Sequence, residues 1–183
     1  MPEHCLGLVE LSSIAGGFQV TDAMLKAAAV ELVLARTICS GKYMVMIRGD
    51  VAAVQASIGA GCEAGDFSVI DVFVIPNVHE SVFPALSGAS RGMHLDALGI
   101  VESFSVASLI EGADAAAKAA AVQLTEIRLA MAMGGKAFFT CTGSVSAVQA
   151  AVEAGAAVVA QKGLLVNKVV IPNPRQELLS EMV

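Results

Sequence analysis

The sequence has few charged residues and almost no large aromatic side chains. Charged residues make up 15% of the chain, aromatic residues 4%, and tryptophan is absent. The 183 residues are nevertheless 56% hydrophobic, which is enough to bury a core and excludes an intrinsically disordered protein. Because small residues supply much of this apolar content, we expect short helices packed closely on a sheet. We expect the remaining apolar surface to face other copies of the chain.

A surplus of positive charge is also missing. The 11 basic and 17 acidic residues give a net charge of -6 with no run of lysine or arginine, so nucleic acid is excluded as a partner. The longest uncharged stretch, 137–152, contains several hydroxyl side chains and is shorter than the ~20 apolar residues of a membrane-spanning helix. No basic segment precedes an apolar run at the N-terminus, which argues against a signal peptide. We therefore expect a cytoplasmic chain with no membrane partner.

Catalytic and metal-binding motifs within one chain are lacking as well. None of the three histidines lies beside a nucleophile motif such as G-x-S-x-G, and the glycine pairs form no phosphate-binding loop, so we expect no enzyme. The four cysteines have no metal-ligand spacing. Three of them, Cys5, Cys62 and Cys141, are interpreted as small buried hydrophobic residues.

The chain does contain a long internal repeat. A shift of 92 residues places LGLVE at 6–10 on LGIVE at 98–102, and later slips in register align IPN at 75–77 with IPN at 171–173. The first shift also aligns identical residues: Ser13 with Ser105, Asp22 with Asp114, Lys26 with Lys118 and Arg36 with Arg128. Each copy is about half of the chain, far longer than the ~20 to 50 residues of a solenoid repeat. The repeat therefore predicts two tandem domains, 1–91 and 92–183, joined near 87–95.

Each copy has the order strand, helix, strand, strand, helix, strand. In the first copy we predict strands over 6–11, 31–38, 42–48 and 69–75, a helix over 23–29 capped by Thr21 or Asp22, and a helix from Asp50 to about 59–61. The second copy repeats this order, with helices over 114–121 and from Val145. The loop 39–41 is too short for a crossover and predicts an antiparallel hairpin. The fold class is α/β (α+β), with helices packed on a small, mostly antiparallel sheet in each domain.

Cys39 lies at the tip of the predicted hairpin. A tip offers a thiol no core in which to be buried, and an exposed thiol is prone to oxidation. If three copies placed this tip on one axis, three thiolates would meet there, and iron-sulfur clusters take such soft ligands. An incidental tip cysteine is the alternative. The corresponding tip of the second copy, 131–136, has no cysteine, so such a site would be threefold and not sixfold.

Two pairs of repeated charged residues have structural interpretations. Glu10 and Glu102 are expected to accept hydrogen bonds from backbone N–H groups where a strand turns into a loop. Lys26 and Lys118 occupy the same position in helices that are otherwise almost all alanine and methionine. They are either solvated lysines or donors to backbone carbonyls of a neighbouring subunit.

These motifs together resemble a known family. V-E-x-x-S-x-A and D-A-x-x-K-A-A are followed by a glycine-containing hairpin, G-D-V-x-A-V-x-A and a closing V-I-P. This order is similar to the bacterial microcompartment (BMC) shell-protein domain, present twice and unpermuted, as in the trimer-forming tandem (BMC-T) class. The hairpin 36–42 resembles the pore hairpin of the PduT type, which is named for propanediol utilisation.

The resemblance implies a pseudohexameric homotrimer of six domains that tiles with other shell proteins around encapsulated enzymes. The location would be a bacterial microcompartment in the cytoplasm. The central opening would be lined by two loops, with the residues Ile38, Ser40, Gly41, Met133, Gly134 and Gly135. The tile edge would include Lys26, Lys118, Asn77, His79 and Arg175, although 75–79 and 171–175 each retain only part of the family's I-P-x-P-H edge segment.

By the same resemblance, Cys39 would bind one 4Fe-4S cluster per trimer, with one thiolate from each chain. The fourth iron would be open to a small ligand, and the cluster would exchange electrons with a redox partner in the lumen or the cytosol. Two alternatives remain open. One is a shell tile with an open pore that conducts a metabolite and binds no cluster, and the other is a trimeric regulator that binds a small molecule.

Overall fold

The computed structural model describes residues 5–88, 96–131 and 133–180. In the order of the chain, the elements are β1 Cys5–Leu11, α1 Ile14–Ala27, β2 Glu31–Ile38, β3 Lys42–Gly49, α2 Val51–Gly65, β4 Val69–Ile75, α3 Val82–Leu86, β5 Ala97–Ser103, α4 Val106–Ala119, β6 Gln123–Arg128, β7 Ala137–Gly143, α5 Val145–Gln161, β8 Leu165–Pro172 and α6 Gln176–Ser180. None of the helices in these ranges combines the length and apolar character needed to cross a bilayer.

Two four-stranded antiparallel sheets confirm the predicted fold class. Their strand orders are β2-β3-β1-β4 and β6-β7-β5-β8, so the repeat in the sequence is a repeat of topology. One compact unit contains the chain up to Val78 together with Met131–Gly135, and the other contains His79–Ala130 and the chain from Lys136 onward. The predicted domain boundary after residue 91 and most of the predicted joint 87–95 lie outside the described residues.

In the first unit, α1 and α2 cover one face of the sheet. Alternate residues of β1 and β3 point to this face because side chains alternate along a strand. The core there joins Val9 and Val45 of the sheet to Val20 and Met24 of α1 and Val54 of α2. In the second unit, α4 and α5 pack against each other and against β5 in the same way.

The first helix of each unit begins earlier than predicted, by nine residues in α1 and by eight in α4. The predicted caps Thr21 and Asp22 are wrong, because the Ser13 hydroxyl accepts the Gly16 N–H at 3.0 Å and starts α1 at Ile14. Ser105 caps α4 in the same way, so that helix starts at Val106. Glycine is needed at position 17 of α1, because the Tyr43 ring packs there. A Cβ at this position would lie 2.2 Å from the ring.

The second helix also ends later than predicted. The glycines at 59–61 do not end α2, which continues to Gly65. Gly61 lies inside the helix where the Met24 side chain packs, and a Cβ at Gly61 would be 2.7 Å from Met24 Cγ. Here glycine permits close helix packing and does not mark a helix end.

Two helical glycines provide a matched test of packing. In α5, a Cβ on Gly155 would lie 2.7 Å from the Gly112 carbonyl oxygen, so Gly155→Ala should destabilise the protein by about 1–3 kcal/mol. In α2, a Cβ on Gly59 would meet nothing within 4 Å. Gly59→Ala should therefore stabilise by about 0.5–1 kcal/mol, because alanine loses less backbone entropy in a helix. Urea unfolding of both variants checks the predicted opposite signs, and equal effects would contradict this account of the packing.

Candidate functional site

The hairpin of β2 and β3 carries the candidate metal ligand. The strands pair up to Ile38 and Lys42, which leaves three residues for the connection, as the sequence predicts. Gly41 has φ of 76°, a left-handed conformation that glycine adopts without steric cost. Cys39 is half-buried next to Ile38, which is buried, while Ser40 is exposed. The thiol is therefore less exposed than its position in the sequence suggests.

The second hairpin also joins two antiparallel strands, but it has no cysteine. Its tip lies between β6 and β7, and Ala132 lies outside the described residues. Gly134 and Gly135 both have positive φ, 62° and 84°, so this turn also depends on glycine. Met133 is half-buried, and Gly134 is exposed. The two hairpins thus differ in the residues at the tip and in the length of the connection, which has three residues between β2 and β3 and eight between β6 and β7.

An ion pair lies at the base of each hairpin. Lys42 Nζ lies 2.7 Å from Glu10 Oε1, and the Glu10 side chain is only 3% exposed. In the second unit, Lys136 Nζ lies 2.6 Å from Glu102 Oε1, with Glu102 29% exposed. The expectation that these glutamates bond to backbone N–H groups is wrong, because each has a lysine partner across the sheet. The pair bridges β1 to the first residue of β3 and so fixes the base of the Cys39 hairpin.

Sequence reasoning missed these lysines as partners of the glutamates. The signal was present, because the repeat aligns Gly41-Lys42 with Gly135-Lys136 and Glu10 with Glu102. Glu10 and Lys42 are 32 positions apart, however, and only the register of β1 against β3 brings their side chains together.

The other cysteines are poor candidates for metal ligands. Cys5 and Cys141 are buried, and none of the four cysteines, all of which are described, forms a disulfide. Burial raises the pKa of the Cys141 thiol to about 12 and also raises the pKa of Cys5 and Cys62. A raised pKa makes these three thiols poorer metal ligands than an unperturbed cysteine, because a metal binds the thiolate.

A cluster fits this chain only as a site shared between chains. In the described ranges, no three His, Cys, Asp or Glu side chains are close enough to one another to hold a metal ion. An iron-sulfur cluster takes cysteine thiolates, and one chain presents one half-buried tip cysteine. The donor chemistry fits a cluster if several copies meet at this tip, with Cys39 as the ligand from each.

The predicted edge residues differ in their exposure and in their partners. In the second unit, Lys118 Nζ lies 2.6 Å from Asp114 Oδ2, and the His79 backbone N–H donates to Asp114 Oδ1 at 2.7 Å. In the first unit, Lys26 pairs with Asp22 at 2.5 Å, and both side chains are mostly exposed. The remaining two, Asn77 and Arg175, are both exposed.

A hollow lies on the face of the second sheet that points away from the helices. Its volume is about 230 Å³, and most of its wall is apolar, formed by Ile100, Glu102, Phe138, Asn167, Lys168 and Val169. Pockets that bind small molecules usually enclose ~300–1,000 Å³. This hollow therefore gives little support to the regulator alternative.

The chain resembles known proteins along its whole length. The BMC domain model matches twice, over residues 5–78 and 97–174. The bacterial microcompartment shell protein PduT of Citrobacter freundii is 43% identical over 180 residues, with 98% of each chain covered. The shell protein PduA of the same organism is 40% identical over 84 residues, which are 45% of this chain and 90% of that protein. A crystal structure of a microcompartment protein from Desulfitobacterium hafniense has a TM-score of 0.91 and 51% identity, covering 96% of this chain and 98% of that one.

The thiols are predicted to differ in reactivity. In metal-free folded protein at neutral pH, iodoacetamide should modify Cys39 first, because the raised pKa of Cys141 keeps its thiolate fraction very small. Cys62 is half-buried with a raised pKa and serves as the internal control, with a rate below that of Cys39. Peptide mass spectrometry over time measures the order. Equal labelling of Cys39 and Cys141 before unfolding would contradict it.

The two ion pairs are predicted to differ in their contribution to stability. Lys42→Met leaves the buried Glu10 carboxylate without a partner and should lower the free energy of unfolding by about 3 kcal/mol. Lys136→Met is the matched control. It should cost less than about 1 kcal/mol because Glu102 keeps contact with water. Urea titrations compare the two variants, and a larger effect at Lys136 would show that burial of the glutamate is not decisive.

Proposed function

Because the chain belongs to the BMC-domain family of bacterial microcompartment shell proteins, with one domain in each half, we propose that it is a trimeric shell tile with an iron-sulfur cluster on its threefold axis. Its role as a structural shell component follows from the family. The cluster, the trimer and the central position of the hairpins are the proposed parts. In this proposal Cys39 of each of three chains supplies one thiolate.

The single tip cysteine is the observation that carries this proposal. Cys39 stands in a tight turn at the end of a hairpin whose base is fixed by the Glu10–Lys42 pair. The second hairpin presents Met133 and two glycines instead. A pseudohexagonal arrangement of three chains would then place three thiols and three thiol-free tips around one opening, which is the ligand number of a cluster with one iron left for a small ligand.

The cluster would supply one-electron transfer across the shell when bound. The residues of the chain would do three things. Cys39 would hold iron, and Ile38, Ser40 and Gly41, with Met133, Gly134 and Gly135 of the other hairpin, would surround the opening and limit passage. The Glu10–Lys42 pair would keep the tip in place. The electron partner would be a protein of the lumen or the cytosol.

The rim of the tile would contact other shell proteins. The exposed or partly exposed side chains Lys26, Lys118, Asn77, His79 and Arg175 are proposed to lie at this edge. Support comes from the repeated position of the two lysines and from the names of the relatives, which are shell proteins. Compartments that use propanediol are the setting suggested by the name of the PduT relative.

Anaerobic purification tests the cluster. The wild-type protein should be brown and contain about four irons per trimer, and Cys39→Ala should lose both colour and iron while the trimer persists. Cys62→Ala removes a half-buried thiol outside the hairpin and is the matched control, which should keep the iron. Iron retained by a trimeric Cys39→Ala variant would overturn the ligand assignment. A wild-type trimer that takes up no iron on reconstitution would favour the open-pore tile.

A further inference from the structure

The first hairpin carries one arginine, Arg36, that differs from its other charged side chains. The β2–β3 hairpin lies wholly within the described residues and has four charged side chains. Arg48 donates to Glu31 at 2.8 Å, and Lys42 pairs with Glu10 at the hairpin base. Among the described residues, Arg36 has no carboxylate beside it, and its Nε is buried without a hydrogen-bond partner. Arg36 therefore leaves this hairpin with one uncompensated positive charge.

The equivalent arginine of the second hairpin is compensated. Arg128 occupies the same position of the internal repeat, and its Nε–H donates to Glu126 Oε1 at 2.7 Å. In the first hairpin Leu34 takes the place of Glu126, so the carboxylate is missing although the arginine is kept. Because a half-buried cation without a partner costs free energy, we expect an anion from outside this hairpin beside Arg36.

The unpaired arginine and the tip cysteine occur in the same hairpin. Arg36 precedes Cys39 by three residues, so their Cα atoms are at most about 11 Å apart. The second hairpin has Met133 at its tip together with a neutralised arginine. An iron-sulfur cluster held by thiolates is the anion that Cys39 would bring to the first hairpin. The missing carboxylate and the candidate ligand thus occur together.

We propose that Arg36 raises the reduction potential of the cluster by supplying a positive charge near it. When a one-electron donor is oxidised and the cluster is reduced, the cluster gains one negative charge. A nearby cation stabilises this reduced form more than the oxidised form. Because the Nε of Arg36 is buried, water screens its charge less than that of an exposed side chain. Arg36 acts through this field and is no ligand of iron.

Redox titration of the anaerobically reconstituted trimer, followed by electron paramagnetic resonance with dithionite as reductant, tests this role. Arg36→Gln removes the charge from all three chains. The ratio of reduced to oxidised cluster at a fixed potential should then fall at least about tenfold, which is a shift of about 59 mV to more negative potential. Arg36→Lys keeps the charge and should stay near the wild-type potential. A merely structural role of the guanidinium would give both variants the same shift.

Leu34→Glu tests the same charge without altering the arginine. The new carboxylate stands where Glu126 stands in the second hairpin and should neutralise Arg36, so the potential should shift in the same direction as in Arg36→Gln. The matched control is the double variant Glu126→Gln with Arg128→Gln. It removes both charges of the compensated pair and should leave the potential unchanged.

The inference rests on the proposed function, because it requires the cluster, but the two can fail separately. An Arg36→Gln trimer that binds iron with an unchanged potential would overturn the inference alone, and so would an equal negative shift in the double-variant control. If Arg36→Gln loses its iron, Leu34→Glu decides, and an unchanged potential in that variant would overturn the inference. A wild-type trimer that takes up no iron would overturn the cluster and the inference together.

Discussion

One chain presents only one thiol, that of Cys39, at the tip of its first hairpin, so a single chain can offer one tip thiolate to a metal. The connection from Ile38 to Lys42 is a three-residue turn, and the second hairpin has Met133 where the first has its cysteine. Burial raises the pKa of the other three thiols, Cys5, Cys62 and Cys141. The proposed cluster would therefore have to take ligands from several chains, and it would require a symmetric assembly.

The two units of the internal repeat share their main structural features and differ at particular residues. The strand order, the serine caps and the glutamate–lysine pair at the hairpin base occur in both units. The units differ in the surroundings of one repeated aspartate, because the Asp114 side chain is buried and accepts the His79 backbone N–H, whereas the Asp22 side chain is mostly exposed. Divergence of the repeat thus includes the hairpin tips and the burial of this aspartate, while the strand order and the serine caps are retained.

Much of the fold could be predicted from the sequence, since strong local patterns mark it. The strands Glu31–Ile38 and Val69–Ile75 have the bounds that their β-branched and apolar runs predict. The start of α1 was missed because Gly16 and Gly17 resemble a loop, although Tyr43 needs the space beside Gly17. The Glu10–Lys42 pair was missed because strand register, and not local sequence, brings the two side chains together. Long-range contacts of this kind are not encoded in a local pattern.

The most direct test of the central claim is an anomalous-scattering map at the iron edge, measured on crystals of the anaerobically reconstituted trimer. The account predicts iron on the threefold axis, at bonding distance from three Cys39 sulfur atoms. Iron located elsewhere, or Cys39 side chains that point away from the axis in crystals of the trimer, would contradict it.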